Sequence, residues 1–182
     1  MVTQEVPRIR PLLRTEYDKL AALGAFEDER LELLEGALVE MSPIGPPHSS
    51  TVDKLTMLFA PALVGRAIVR VQGPFAAENI SEPEPDLMVM PLGDYTSGHP
   101  EQALLVIEVS ESSLRKDRGI KQRIYARNGA RDYWIVNLVE RVVEVYREPQ
   151  AERYTLVQRF APGDSVTPLA FPDLAVPVNA VL

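Results

Sequence analysis

Apolar and polar positions change period several times along the chain, and each change marks an element. Residues 1–14, with prolines at 7 and 11, keep no period and predict a loose or strand-like arm. Thr15 suits a helix cap, Glu16 and Asp18 suit the first turn, and Gly24 stops a short helix near Leu23. Weak alternation over 31–41 about Glu35-Gly36 predicts a hairpin or bent strand pair, followed by a Ser42-Pro43 to Pro47 breaker. Val52, Leu55, Leu58, Phe59 and Leu63 then recur at helical spacing. They predict a helix capped at Ser49, Ser50 or Thr51, ending near Gly65, with one core-facing stripe.

Strands are predicted over 67–72, 86–90 and 103–109, with loops rich in Pro, Gly, Ser and acidic residues between them. The third is apolar on both faces, the mark of a central strand covered on two sides. A helix over 114–128 follows, capped by Ser112 or Ser113 and stopped by Asn128-Gly129, and a strand returns over 132–137. Strands over 142–147 and 154–160 and a proline-spaced tail close the chain. The order predicts an α/β (α+β) fold: a mixed β-sheet flanked by helices, with β-rich N- and C-terminal additions. One domain over 1–182 is expected, with an arm at 1–14, a core at 48–137 and a β-rich extension at 138–182.

Composition narrows the chemistry. No run of about 18 apolar residues occurs, and the first 14 residues carry charge where a leader needs an apolar centre, so a cytoplasmic protein with no membrane partner is expected. Without cysteine, and with only His48 and His99, thiolate and histidine-rich metal sites are excluded. Any metal must be held by oxygen, which favours Mg²⁺ and then Mn²⁺. The net charge of −7 argues against a general attraction to nucleic acid, but the distribution is uneven. Residues 114–131 hold seven basic residues against one acidic, Asp117. That excess is either a solvated helix face or a binding patch.

Three side chains carry candidate chemistry. Asp86 follows Pro85, so it stands where a rigid loop enters a strand, placed to ligate a metal or simply to satisfy loop amides. Glu108 shares a strand face with Leu104 and Val106, where an unpaired charge costs several kcal/mol. It therefore needs a cation, a dense set of donors or a raised pKa; a metal shared with Asp86 supplies the first, and so does a salt bridge to an arginine of the next helix. Lys121 lies on that helix in an i, i+4 stripe with Asp117 and Tyr125 that can overlook the carboxylates. There it can orient or deprotonate water or neutralise a phosphate, unless it serves only solubility. Gly119 inside the helix hints at close packing against the sheet. Arg115, Lys116 and Arg118 are candidates for holding a nucleic-acid backbone.

Several segments, in this order, resemble the PD-(D/E)XK nuclease superfamily and, within it, the bacterial Uma-two restriction-endonuclease family. They are Leu31-Glu32-Leu33-Leu34-Glu35-Gly36, Met41-Ser42-Pro43, His48, Pro85-Asp86-Leu87, Val106-Ile107-Glu108-Val109-Ser110, Asp117-Arg118-Gly119-Ile120-Lys121, Tyr125-Ala126 and Tyr133-Trp134-Ile135-Val136. The resemblance covers roughly residues 15–147. It implies a restriction-endonuclease-like core in which Asp86 and Glu108 bind Mg²⁺ or Mn²⁺ and Glu32, with Glu35 the lesser alternative, completes the catalytic set. Ser110 stands where the superfamily's basic motif has its lysine, and the family pattern passes that role to Lys121. His48 also matches the pattern; beside a helix start it can cap or pack, and it stays outside the catalytic set. The implied activity is metal-assisted hydrolysis of nucleic acid, DNA first, by a homodimer. Two rivals are a nuclease fold kept as a DNA-binding or regulatory module, and an assembly protein whose carboxylates pair with Arg115 or Arg118.

Overall fold

The computed structural model describes residues 9–182; the first eight positions of the expected arm lie outside the described residues. The arm's last residues are irregular, and Leu12 N–H donates to Gly36 O at 2.9 Å. Helix α1 (Arg14–Ala22) starts one residue before the expected cap. Glu16 supplies the cap by accepting from Leu13 N–H at 3.0 Å. Strands β1 (Leu31–Leu34) and β2 (Ala37–Glu40) form the expected hairpin, turned by Glu35 (φ 49°) and Gly36 (φ 80°). Two consecutive positive φ angles are the backbone of a type I′ turn.

Helix α2 (Pro46–Ala62) begins inside the breaker segment rather than at Ser49–Thr51. Pro46 takes the first helical position, where its missing N–H and fixed φ cost nothing. Six strands build the main sheet: β3 (Ile68–Val71), β4 (Leu87–Met90), β5 (Leu105–Ser110), β6 (Asp132–Asn137), β7 (Val142–Gln150) and β8 (Arg153–Phe160), neighbours in that order. Only β5 and β6 are parallel, so the connection between them has to cross over. Helix α3 (residues 114–127) makes that crossover. Beyond the sheet, β9 (Ser165–Val166) pairs with β10 (Val176–Pro177), and a short α4 (Val178–Val181) follows.

The two-residue strand period sorts the core into two layers. On one face Val52, Leu55 and Phe59 of α2, with Leu63 just past its end, pack on Leu105, Ile107, Val109, Trp134 and Val136, with tail residues Val166, Phe171 and Val178. On the other, Tyr125 and Ala126 of α3 pack on Met88, Val106, Tyr133 and Ile135. Glu108 and Ser110 therefore face α3, alongside Val106 as expected. Leu104 does not join them: it precedes β5 and packs with the α2 layer.

Helix α3 is not regular. Asp117–Lys121 form a π turn between α-helical Leu114–Lys116 and Gln122–Arg127. In a regular helix each i+4 step advances about 40° around the axis. The wider turn absorbs part of that drift and keeps 117, 121 and 125 on one buried face. Gly119 lies within it but marks no close approach, because nothing lies within 4 Å of where its Cβ would be. Among the described residues no helix is long and apolar enough to cross a membrane.

Candidate functional site

Five segments meet at the C-terminal end of β5. Hairpin strand β1 brings Glu32, α2 brings His48, the entry to β4 brings Glu84 and Asp86, β5 brings Glu108, and α3 brings Lys116, Asp117 and Lys121. All but Glu32, which lies behind the wall, line a cleft of about 50 Å³, with Arg30, Ser42 and Ile44 also on its wall. That is room for a few waters or an ion with its waters.

Lys121 is the hub. Its side chain is 4% exposed, and its ammonium lies 2.9 Å from Glu108 Oε1 and 3.0 Å from Glu32 Oε2. It also donates to the Glu84 carbonyl at 3.4 Å. Lys116 donates to Glu32 Oε1 at 2.6 Å, so the buried Glu32 carboxylate carries both lysines. Glu108 Oε1 accepts a second bond from the Tyr125 hydroxyl at 2.7 Å. On the same face, Asp117 Oδ2 accepts from Ser110 and Ser113, each at 2.6 Å, while Asp117 Oδ1 is buried with no partner. Asp86 is held at both oxygens. Val109 N–H donates to Oδ2 at 2.8 Å, and His48 Nε2 lies 3.1 Å from Oδ1.

The electrostatics follow from an excess of acid. Glu84, Asp86, Glu108, Glu111 and Asp117 line the cleft and Glu32 lies behind it, against Arg30, Lys116, Lys121 and His48. Burial pushes the Glu108 carboxyl well above its ordinary value, and the charges of Asp117, Asp86 and Glu32 add to the push against Lys121. Asp117 is raised by burial despite Lys121 and its two serines. Burial also works to raise Glu32, but Lys121 and Lys116 overcome it and hold that carboxyl low. Burial works to lower Lys121, and Glu108, Glu32 and Asp117 more than reverse it, so the ammonium stays charged. The hydrogen bond to Asp86 raises His48.

The cleft thus gathers Glu32, Asp86, Glu108, Lys116 and Lys121 from the sequence-derived set. Arg115 is exposed and beside it. Arg118 faces away, its guanidinium bound to Glu144 of β7 and to Glu140. Glu35 also points elsewhere, to Arg123 and Arg127. Glu108 meets a lysine where a purely structural account expected an arginine. Three members escaped the sequence reading: His48 as the Asp86 partner, Asp117 as a buried cleft carboxylate, and Glu84. For Asp117 the signal was its place in the Lys121 stripe.

Among the described residues no three His, Cys, Asp or Glu side chains are gathered so as to hold a metal ion by themselves. A closed protein cage is therefore not what this cleft offers. Mg²⁺ commonly takes one or two carboxylates and completes its shell with water and substrate phosphate. The donor set fits that mode: Asp86 and Glu108 open on one small cleft, and Glu108 Oε2 accepts none of the hydrogen bonds formed among the described residues.

The family model described as "Uma2: Putative restriction endonuclease" matches residues 14–179. Among solved structures, the fold is similar to that of "a putative nuclease belonging to DUF820" from Anabaena variabilis. The TM-score is 0.74 at 17% identity, covering 94% of this chain and 97% of that chain. No curated protein matches the chain.

Proposed function

The chain belongs to the Uma2 restriction-endonuclease family, a nuclease family, and on that premise we propose that its cleft hydrolyses phosphodiester bonds of DNA with a divalent cation. The observation that carries the reading is a buried, charged Lys121 held between Glu108 and Glu32 on the wall of an acid-rich cleft shared with Asp86. Asp86 and Glu108 would hold Mg²⁺ or Mn²⁺. The bound ion supplies Lewis-acid charge against the scissile phosphate and makes an attacking water more acidic.

The chain's own groups do the rest. Lys121, kept protonated by three carboxylates and with its N–H groups taken by Glu108, Glu32 and the Glu84 carbonyl, neutralises charge growing on the phosphate and does not act as a base. Glu32 and Tyr125 fix the Lys121–Glu108 pair, and His48 with the Val109 amide fixes the Asp86 rotamer. Lys116 and the exposed Arg115 hold the flanking backbone, the kind of contact that positions without reading sequence.

Incubating purified protein with supercoiled plasmid and Mg²⁺ or Mn²⁺, beside Asp86→Ala and Glu108→Ala, tests this. Nicking by the natural chain and loss in both variants is the expected result. Nicking that survives both substitutions refutes the assigned site. One observation favours the second reading, a DNA-binding module without cleavage: no third metal-binding side chain joins Asp86 and Glu108 among the described residues. It expects plasmid binding without nicking under either metal.

A further inference from the structure

The hairpin sets one more cation on the cleft wall. Arg30 precedes β1, and its carbonyl accepts from Met41 N–H at 2.8 Å, which extends the β1–β2 ladder by one pair and anchors its backbone. The two-residue strand period puts its side chain on the Glu32 side of the hairpin. Glu32 is buried behind the wall, whereas Arg30 lies on the wall and is exposed. The other cations of the cleft already hold protein acceptors. Lys121 gives its N–H groups to Glu108, Glu32 and the Glu84 carbonyl, Lys116 is bound to Glu32 at 2.6 Å, and His48 lies 3.1 Å from Asp86. Arg30 forms no salt bridge and no side-chain hydrogen bond with any described residue. Its charge is still felt in the cleft: burial and the Glu32 charge raise the Glu84 carboxyl, and Arg30 with Lys121 opposes them.

A phosphate entering this acid-rich cleft needs a cation whose donors are not yet spent. A guanidinium offers them as a planar fork that matches two oxygens of one phosphate, and a phosphodiester has two non-bridging oxygens to receive it. Resting on the nuclease reading, we propose that Arg30 is a catalytic residue of this site, donating both arms of its fork to the scissile phosphate as the strand enters between the hairpin and α3. Lys121 contributes fixed charge from the opposite wall, and Arg30 contributes the N–H donors that Lys121 has already given to the protein.

The test follows a labelled DNA duplex by fluorescence anisotropy with Ca²⁺, and nicking of supercoiled plasmid with Mg²⁺ or Mn²⁺, for the full-length natural chain and four variants. Arg30→Ala is expected to bind the duplex about tenfold more weakly, to lower the salt slope of binding by about one, and to cut kcat at saturating DNA at least about tenfold. Arg30→Lys keeps the charge and loses the fork, so it should restore the slope and leave kcat low. Arg115→Ala should weaken binding with kcat unchanged. Arg131→Ala, exposed at the opposite end of the sheet, should match the natural chain in both. Thermal melts of the Arg30 variants should coincide with that of the natural chain, because no described side chain is bonded to Arg30. Binding and kcat of Arg30→Ala equal to those of the natural chain, or full kcat in Arg30→Lys, overturns the proposal, as does a natural chain that binds no DNA. The same data separate the two readings. An Arg30-dependent salt slope without nicking removes the nuclease reading and leaves Arg30 as a phosphate contact, and nicking by Arg30→Ala at the natural rate does the reverse.

Discussion

Replacing Lys121 by methionine keeps its length and removes its charge, and the structure fixes what that costs. Glu32 retains Lys116 at 2.6 Å, but Glu108 keeps only the Tyr125 hydroxyl. Breaking a buried pair by removing one partner costs about 3–5 kcal/mol, mostly the charge left behind. With a urea slope of about 2 kcal/mol/M, the unfolding midpoint falls by about 2 M. The double variant Lys121→Met/Glu108→Gln also removes the stranded carboxylate and should recover at least about 1 kcal/mol of that loss. The pH dependence has a definite sign. A Glu108 carboxyl raised in the folded state above its ordinary 4.5 binds more protons folded than unfolded. Its contribution is intact below 4.5 and is lost as pH rises through the folded value, so the Lys121→Met deficit is smallest in acid and grows toward neutrality. Urea titrations at acid and neutral pH read all of this. A deficit under about 1 kcal/mol, or strictly additive single variants, would refute the reasoning.

Gly36→Ala should lose about 1–3 kcal/mol, because a Cβ there would lie 2.2 Å from Pro11 Cβ on a backbone at φ +80°. A thermal melt should show a drop of several degrees, and an unchanged melt would contradict the described seat of the hairpin turn. Arg115→Ala and Arg118→Ala should part company when DNA affinity is followed against salt. Removing the exposed Arg115 lowers the salt slope by about one, whereas removing Arg118, bound to Glu144 and Glu140, leaves the slope alone and lowers stability.

Periodicity made much of the architecture legible. The α2 stripe and the two-faced apolar run of β5 follow from repeats of 3.6 and 2, and Glu108 stood out because a charge interrupts a buried strand. Boundaries set by single backbone groups were less visible: α2 opens at Pro46, and α1 is capped from Leu13 by Glu16. The π turn had no periodic trace, and Gly119, which lies in it, pointed instead to a close approach that is not there. Long-range partnerships were hidden as well. His48 meets Asp86 across 38 positions, and Arg118 is captured by Glu144 only because β7 pairs with β6. No local pattern encodes a contact that sheet register creates.

The dispersal of the cleft's parts along the chain has a consequence during synthesis. Glu32 on the hairpin reaches Lys116 and Lys121 only after strands far downstream have been made and the crossover has docked. A nascent or half-assembled chain holds fragments of the cleft and never the whole, so whatever chemistry the proposed site performs begins only once folding is complete.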